Sequence, residues 1–296
     1  MIRVPWGRSR RPRVSDPEDH VVRVSTGVGG QVLDVRLCDY VAGAVAAETT
    51  PDWPDEALLA QAVASRTFAL HRLARPRSRR YDVVTTTLDQ YFVLPHLVAA
   101  RVRTFVERTR GQYLTAGPAR RSPVPFGAFF HATCGGGTDL PSAVWVSAGD
   151  QNHEAATCAE CCRSPRPWRA TVDREELLAA AGMVRETRGE WRVDVEERTP
   201  SGRLRLLRVT AGVQSAVVAA DTLRAQLGYG RVRSARFVWT VSLNHLRLDG
   251  VGHGHGVGLC QHGARGMATR GATYGDILAH YYPRSRLVQP GVVDAS

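Results

Sequence analysis

Glu48 is the residue of this sequence best suited to acid–base chemistry. Tyr40 and Ala44 precede it at helical spacing, with Val41 and Val45 beside them, so its carboxyl continues an otherwise apolar stripe. A carboxyl that faces packed surface loses hydration, which raises its pKa. An acid with a raised pKa can protonate a glycosidic oxygen. On spacing alone, a helix-terminal charge in a solvated turn is the competing interpretation.

Two polar side chains downstream could share a site with Glu48. Arg66 lies on a second helical segment, and its rigid fork of donors can pair with Glu48 or hold a sugar oxygen. The competing interpretation is that the stem of Arg66 covers the flank of that helix. Gln90 follows a run of threonines and, as a lone amide, is weak evidence by itself.

A glycine-rich segment over 250–263 carries four polar side chains: His253, His255, Gln261 and His262. Glycine lacks a side chain, so such a backbone can approach a ligand closely. His253 and His255 are two residues apart, so on an extended chain their side chains share a face and could together bind a metal ion. Turns and close approach explain the glycines more simply. We therefore expect His255 and Gln261 to line a cleft that contains Glu48.

Five potential soft metal ligands cluster in the middle of the chain: His131, Cys134, Cys158, Cys161 and Cys162. Structural zinc takes four such ligands in a tetrahedron, often as two close pairs. A disulfide from Cys134 to the later cysteines and unliganded thiols are the alternatives. Cys38 and Cys260 stand alone in the sequence, and we expect both to be buried small hydrophobic residues.

Three segments, taken in order, carry a resemblance to a known family. The first covers 39–67, the second is Phe-Phe-His-Ala-Thr-Cys-Gly-Gly-Gly-Thr at 129–138, and the third begins Gly-His-Gly-His-Gly-Val-Gly and covers 252–283. Together with Gln90, this order resembles the SpoIID family (stage II sporulation protein D). The resemblance extends over about residues 21–290.

The resemblance implies a peptidoglycan lytic transglycosylase with an α+β fold unlike lysozyme. Glu48 would be the catalytic acid, and we expect the cleft to be shaped by Arg66, Gln90, His255 and Gln261. The substrate would be glycan strands, preferably stripped of peptides, and cleavage would leave anhydro ends without a catalytic cofactor. A structural zinc near the cysteines and other cell-wall hydrolases as partners are also implied. The alternative is a non-catalytic cell-wall-binding protein or amidase enhancer of the same family.

Two positions depart from the family pattern. His253 stands where family members often have tryptophan, and His262 replaces the tryptophan of Ser-Gln-Trp-Gly-Ala. Each change removes an aromatic surface on which a sugar could stack. The departures therefore bear on substrate preference more than on reaction type.

The helices and strands that must position these residues do not alternate regularly along the sequence. A valine-rich hairpin is predicted over 21–35, and helices are predicted over 37–48, 54–74, 95–110, 174–181 and 274–282. Strands are predicted over 191–198, 203–210 and 235–248. Scattered helices and strands indicate an α+β fold. We expect a flexible basic segment at 1–20 and one domain of mixed helices and antiparallel strands over 21–296.

The charge of the chain bears on its partners. All 39 basic residues among the 296 are arginine, and the formal net charge is +11. The arginines are scattered, which disfavours a nucleic-acid partner, although the charge would steer an anionic polymer such as cell wall toward the protein. No apolar run is long enough for a membrane span, and none follows the basic start, so no signal peptide is visible. The implied function nevertheless predicts a location in the cell envelope.

Overall fold

Strands and helices of the first part of the chain form a layer around one small sheet. The computed structural model describes residues 17–27, 29–116, 125–145, 149, 153–184 and 189–289. The first elements are β1 (Val21–Ser25), β2 (Val32–Arg36), α1 (Leu37–Glu48), α2 (Asp55–Ala74), β3 (Val83–Val84), α3 (Ala100–Arg108) and β4 (Tyr113–Ala116). β1 pairs antiparallel with β2 and parallel with β3.

The helices α1 and α2 begin and end where local chemistry predicts. α1 ends at Glu48, since Thr49 is extended and Pro51 disfavours helical geometry at the residue before it. Pro54 directly precedes α2, whose first turn is acidic, as the dipole of a helix favours. Every residue from Ala57 to Leu70 is buried, so α2 forms the centre of this layer. No helix of the described segments has the length and apolar character needed to cross a membrane.

The middle of the chain adds two antiparallel sheets. Its elements are β5 (Phe130–His131), α4 (Pro141–Val144), α5 (Ala159–Arg163), β6 (Pro167–Asp173), α6 (Arg174–Ala180), β7 (Trp191–Arg198), β8 (Leu204–Ala211), β9 (Gln214–Ala219), α7 (Ala220–Leu227), β10 (Phe237–Val241) and β11 (His245–Val251). The sheet orders are β10-β11-β6 and β7-β8-β9. The strand predicted over 235–248 is therefore a hairpin of two strands.

The last elements return to the first part of the fold. They are β12 (Leu259–Cys260), α8 (Gln261–Thr269), α9 (Tyr274–Tyr281) and β13 (Ser285–Val288). β12 pairs in parallel with β5, and β13 pairs antiparallel with β4. α8 and α9 both pack against α2. Mixed helices and small, mostly antiparallel sheets confirm the predicted α+β class.

The residues over 168–248 enclose a hydrophobic core of their own. Its buried side chains include Trp168, Leu207 and Phe237, and all of its buried members come from this stretch. A buried ion pair links the stretch to the rest of the fold, since Arg203 Nη1 lies 3.0 Å from Asp139 Oδ2. The fold therefore contains a second packed unit that the sequence pattern did not separate from the first.

The structure places the guanidinium of Arg66 inside the fold rather than in an open cleft. Its guanidinium is fully buried, and its Nε donates to Glu18 Oε1 at 2.6 Å. Residues 17–19 form a 3-10 turn that presents Glu18 to α2. The end of the predicted flexible segment is thus packed against the core, while residues 1–16 lie outside the described residues. The physical reason is charge pairing, which the helical spacing around Arg66 could not reveal.

Candidate functional site

Glu48 lies at the C-terminal end of α1 with two donors on its carboxylate. Gln261 Nε2 donates to Glu48 Oε2 at 3.1 Å, and the backbone amide of Tyr91 donates a second hydrogen bond. Gln261 is buried, whereas Glu48 is only partly buried. The acid is therefore held in position and still open to a ligand.

Burial decides the acidity of Glu48. Loss of hydration raises its pKa, and the hydrogen bonds from Gln261 and Tyr91 oppose that rise only in part because they favour the ionised form. Within the described part of the chain, the groups that set this pKa include no second carboxylate. Such an acid keeps its proton at a higher pH than a solvated glutamate does, as a general acid requires.

The segment that carries Tyr91 reaches Glu48 because it crosses α1 at a glycine. A Cβ at Gly43 would collide with the ring of Phe92. That ring stacks on Tyr40 of α1, with a centroid separation of 5.5 Å. The crossing sets the backbone amide of Tyr91 on Glu48 and leaves the Tyr91 side chain 49% exposed beside the acid.

Gln90 is adjacent to this contact. Its side chain is buried, and neither amide atom has a hydrogen-bond partner among the described residues. An amide in this state has both a donor and an acceptor unused, which is uncommon inside proteins. The sequence reasoning selected Gln90 and missed Tyr91, although an aromatic residue directly after the selected glutamine was the available signal.

Gln261 reaches Glu48 through strand pairing between distant parts of the chain. Leu259 in β12 pairs with Phe130 in β5, and Gln261 follows as the first residue of α8. Gly258 permits this pairing, since its φ is +68° and a Cβ there would collide with the carbonyl of Phe129. The glycine-rich segment thus serves close backbone approach, as the sequence suggested, but the approach is to β5.

Three further side chains lie beside the Gln261–Glu48 contact. The ring of His262 lies 5.5 Å from the ring of Trp53, between centroids. The guanidinium of Arg265 lies over the same Trp53 ring at 5.6 Å. Burial is the main cause that lowers the pKa of His262, and the neighbouring Arg166 and Arg265 lower it further. Of these residues, only His262 was considered from the sequence, as one of the polar side chains of the glycine-rich segment, and none was assigned to the predicted cleft.

His255 is used within the protein. Its Nε2 lies 3.0 Å from the carbonyl oxygen of Phe130, and its Nδ1 accepts from the backbone amide of Val257 at 3.0 Å. The ring packs against Trp145 at 5.0 Å between centroids. Burial is the main cause of a pKa well below the ordinary value. Both ring nitrogens are engaged, so the geometry favours a packing role over the predicted role in the cleft.

Four cysteine sulfurs form a separate buried group, which could hold a metal ion: Cys134, Cys158, Cys161 and Cys260. Their Sγ atoms all lie within 4.8 Å of one another. The Cys161–Cys260 and Cys158–Cys260 separations are 3.5 and 4.0 Å. Thiolates about 2.3 Å from one tetrahedral ion would be about 3.8 Å apart, so the spacing fits a single ion. It does not fit a disulfide, whose sulfurs are about 2.05 Å apart.

The immediate surroundings of this group also suit thiolates. Backbone amides of Cys134 and Gly263 donate to Cys260 Sγ at 3.3 and 3.4 Å. The Thr133 hydroxyl lies 3.1 Å from Cys161 Sγ. Hydrogen bonds from the neighbouring thiols, chiefly Cys134, lower the pKa of Cys161. Donors of this kind stabilise sulfur ligands in their charged form.

The composition of the group differs from the predicted ligands. Cys260, which we expected to be an isolated buried residue, supplies the fourth sulfur because β12 lies beside β5. His131 lies outside the group, with its Nδ1 3.2 Å from the carbonyl oxygen of Val257. Cys162 is exposed and contacts the carbonyl oxygen of Gly136 at 3.5 Å. All six cysteines are free thiols in the structure.

Comparison with known families gives two matches. A family described as stage II sporulation protein, SpoIID, matches residues 27–115. A domain of unknown function, DUF8618, matches residues 168–258. The first match contains α1 with Glu48, and the second coincides with most of the separate hydrophobic core.

Individual relatives match over longer stretches. An uncharacterized protein of Brachyspira hyodysenteriae is 30% identical over 255 residues, which are 85% of this chain and 66% of that protein. Stage II sporulation protein D of Bacillus amyloliquefaciens is 28% identical over 271 residues, which cover 85% of this chain and 74% of the relative. An amidase enhancer of Bacillus subtilis is 25% identical over 118 residues, 40% of this chain and 16% of the enhancer.

Proposed function

The chain belongs to the SpoIID family, and on that premise we propose that it is a lytic transglycosylase of the cell envelope. It would cleave peptidoglycan glycan strands, preferably peptide-stripped ones, and leave anhydro ends. The observation that carries this proposal is the state of Glu48, a partly buried acid with a raised pKa, two fixed donors and no second carboxylate among the described groups that set its pKa.

The first step needs Glu48 in its protonated form. The carboxylic acid gives its proton to the glycosidic oxygen, the bond from that oxygen to the sugar carbon breaks, and positive charge develops on the sugar ring. Glu48 becomes a carboxylate at the same moment. Gln261 Nε2 and the amide of Tyr91 already donate to it. These donors need no rearrangement to stabilise the new charge, which is the advantage of a preorganised site.

The second step needs no water. A hydroxyl of the same sugar attacks the positive carbon, and its proton passes to the Glu48 carboxylate. The ring closure gives the anhydro end and restores the acid. Hydrolytic glycosidases use a second carboxylate to activate water or to form a covalent intermediate. The described groups that set the pKa of Glu48 include no second carboxylate, which supports the intramolecular route.

We also propose that Cys134, Cys158, Cys161 and Cys260 hold a structural zinc ion. Four buried sulfurs at tetrahedral spacing, with amide donors on them, fit zinc well. The ion would cross-link three separate stretches of chain. A closed four-sulfur set leaves no open position, so the ion would take no direct part in cleavage.

A bound zinc ion would also hold Glu48 in place, because one of its ligands, Cys260, is next to Gln261 in the sequence. Cys260 directly precedes Gln261, and Cys260 Sγ accepts from the amide of Gly263 in the first turn of α8. A zinc ion that holds Cys260 in place would therefore also hold the start of α8 and the side-chain amide of Gln261, which donates to Glu48. Loss of metal should loosen the site as well as the fold.

Product analysis in isotopically labelled water tests the proposal. Peptide-stripped strands are incubated with the protein in H2¹⁸O, and the fragments are weighed by mass spectrometry. The proposal predicts anhydro ends without ¹⁸O. Reducing ends that contain ¹⁸O would identify a hydrolase instead. Binding without fragments would favour the alternative role as a cell-wall-binding protein or amidase enhancer.

A further inference from the structure

Three arginines near the site form no ion pair with a carboxylate in the described part of the chain, although Asp52 interacts with one of them, Arg265, at longer range. Most buried or half-buried arginines of the fold pair with a carboxylate, as Arg203 does with Asp139. The half-buried Arg265, the exposed Arg166 and the half-buried Arg236 have no described carboxylate within ion-pair distance of 4.0 Å. Unpaired guanidinium groups are ready to bind an anion, since their fork of donors matches a carboxylate.

The first two of these arginines adjoin the Gln261–Glu48 contact. Arg265 lies one helical turn after Gln261 on α8. Arg166 Nη2 lies 3.4 Å from Nδ1 of His262, the residue that follows Gln261. Positive charge therefore begins directly beside the acid.

The third arginine lies in an open cavity that starts at the residue after Arg166. Pro167 lines this cavity, whose volume is about 750 Å³, together with Arg236 and Arg198. The Nη1 atom of Arg236 is buried without a hydrogen-bond partner among the described residues. Asp249 also lines the cavity, but Arg169 neutralises it at 2.6 Å. The cavity wall thus retains positive charge, and one donor of Arg236 is buried behind it without a described partner, which is rare for buried polar atoms.

We propose that Arg265, Arg166 and Arg236 form an anion track that binds the free carboxylates of a peptide-stripped glycan strand. This inference rests on the glycan substrate proposed above and specifies how it is selected. Each stripped disaccharide carries one carboxylate, which a guanidinium can pair with through two hydrogen bonds. When a peptide is attached, that carboxylate is an amide and has no charge. The track would therefore favour stripped strands, without any contact to the peptide.

Binding experiments test the track apart from cleavage. All proteins carry Glu48→Gln, so that the strands stay intact. The probes are peptide-stripped strands and the same strands after their carboxylates are converted to methylamides. Arg166→Gln and Arg236→Gln each remove one member of the track. Arg208→Gln is the matched control, because Arg208 on β8 is a half-buried arginine that pairs with Glu196 on β7 and does not line the cavity.

The expected pattern is selective for charge. Methylamide formation should weaken binding at least tenfold, and each track variant should weaken binding of the charged strands about tenfold, the effect of one charge-assisted hydrogen bond. The Arg208→Gln control should bind the charged strands as tightly as the Glu48→Gln parent does. On the methylamide strands, the track variants should bind as tightly as that parent. Raised salt should weaken only the charged complex.

Two results would overturn the track. Equal binding of charged and methylamide strands would show that the carboxylates are not recognised, and this conclusion holds whichever variants fold. Tighter binding of a glycerol-phosphate polymer than of stripped glycan would assign the arginines to a phosphate ligand. If product analysis finds no cleavage but binding stays carboxylate-dependent, the transglycosylase proposal fails and the track stands.

Discussion

Replacing Arg66 by methionine should destabilise the protein and leave its chemistry intact. The guanidinium of Arg66 makes four hydrogen bonds in the core. Its Nε donates to Glu18 at 2.6 Å, and its Nη atoms donate to Thr109, to the carbonyl oxygen of Gln112 and to that of Val106 at 3.1–3.3 Å. None of these groups is among those that set the pKa of Glu48, so we expect their loss to act on folding rather than on cleavage.

The size of the effect follows from what remains after the substitution. Glu18 would stay buried and would keep the hydrogen bond from the amide of Gly111. Removing one member of a buried ion pair costs about 3–5 kcal/mol, since the other charge loses its counter-ion inside the fold. For a chain of this size, such a loss lowers Tm by about 6–20 °C. Adding Glu18→Gln to Arg66→Met should restore part of the lost stability, because the stranded charge is then gone.

Thermal denaturation and the rate of anhydro-end formation per folded molecule are the two measurements. Arg108→Met, which removes an exposed arginine of α3, is the control and should cost less than about 1 kcal/mol. A stable Arg66→Met protein that has lost cleavage would refute the reasoning and return Arg66 to the cleft.

Three other predictions concern acidity, metal and hydrogen bonding. Because the pKa of Glu48 is raised, turnover should be constant at pH values below that pKa and should fall as the pH rises through it. The free energy of unfolding should also fall as the pH rises from the pKa of Glu48 in the unfolded chain to its pKa in the folded protein, because the native state holds the proton more tightly. A rate that rises over this range would contradict it. Cys260→Ser should lower both the amount of bound zinc, measured by elemental analysis, and Tm. Cys162 is exposed, so Cys162→Ser should retain about one zinc ion per chain. Equal zinc contents of the two variants would reject the four-sulfur site. Gln261→Ala should lower turnover about 10²-fold with little change in Tm. His255→Ala, in contrast, should lower Tm and leave the turnover of the folded fraction unchanged. A His255→Ala protein of unchanged Tm but lower turnover would place His255 in the cleft.

Local elements could be predicted from the sequence because their causes are local. The bounds of α1 follow from its apolar spacing and from Pro51, and the start of α2 follows from Pro54. The position of Glu48 at the end of an apolar stripe was accessible for the same reason, and its raised pKa agrees with the desolvation that the stripe predicts.

Contacts between distant segments could not be predicted in this way. Cys260 joins the other three cysteines, and Gln261 meets Glu48, only because β12 pairs with β5. No periodicity within either segment encodes that pairing. The burial of Arg66 could not be predicted for a related reason, since its partner Glu18 lies 48 positions away in a segment whose sequence is polar.

The central claim is that one glutamate serves first as acid and then as base. The most direct measurement is the rate of anhydro-end formation from peptide-stripped strands by folded Glu48→Gln protein, compared with the unaltered chain. Glutamine keeps the shape of the side chain but cannot donate the proton, so the rate should fall by about 10²–10⁴ while Tm stays the same or rises. A folded Glu48→Gln protein that forms anhydro ends at the unaltered rate would contradict the account.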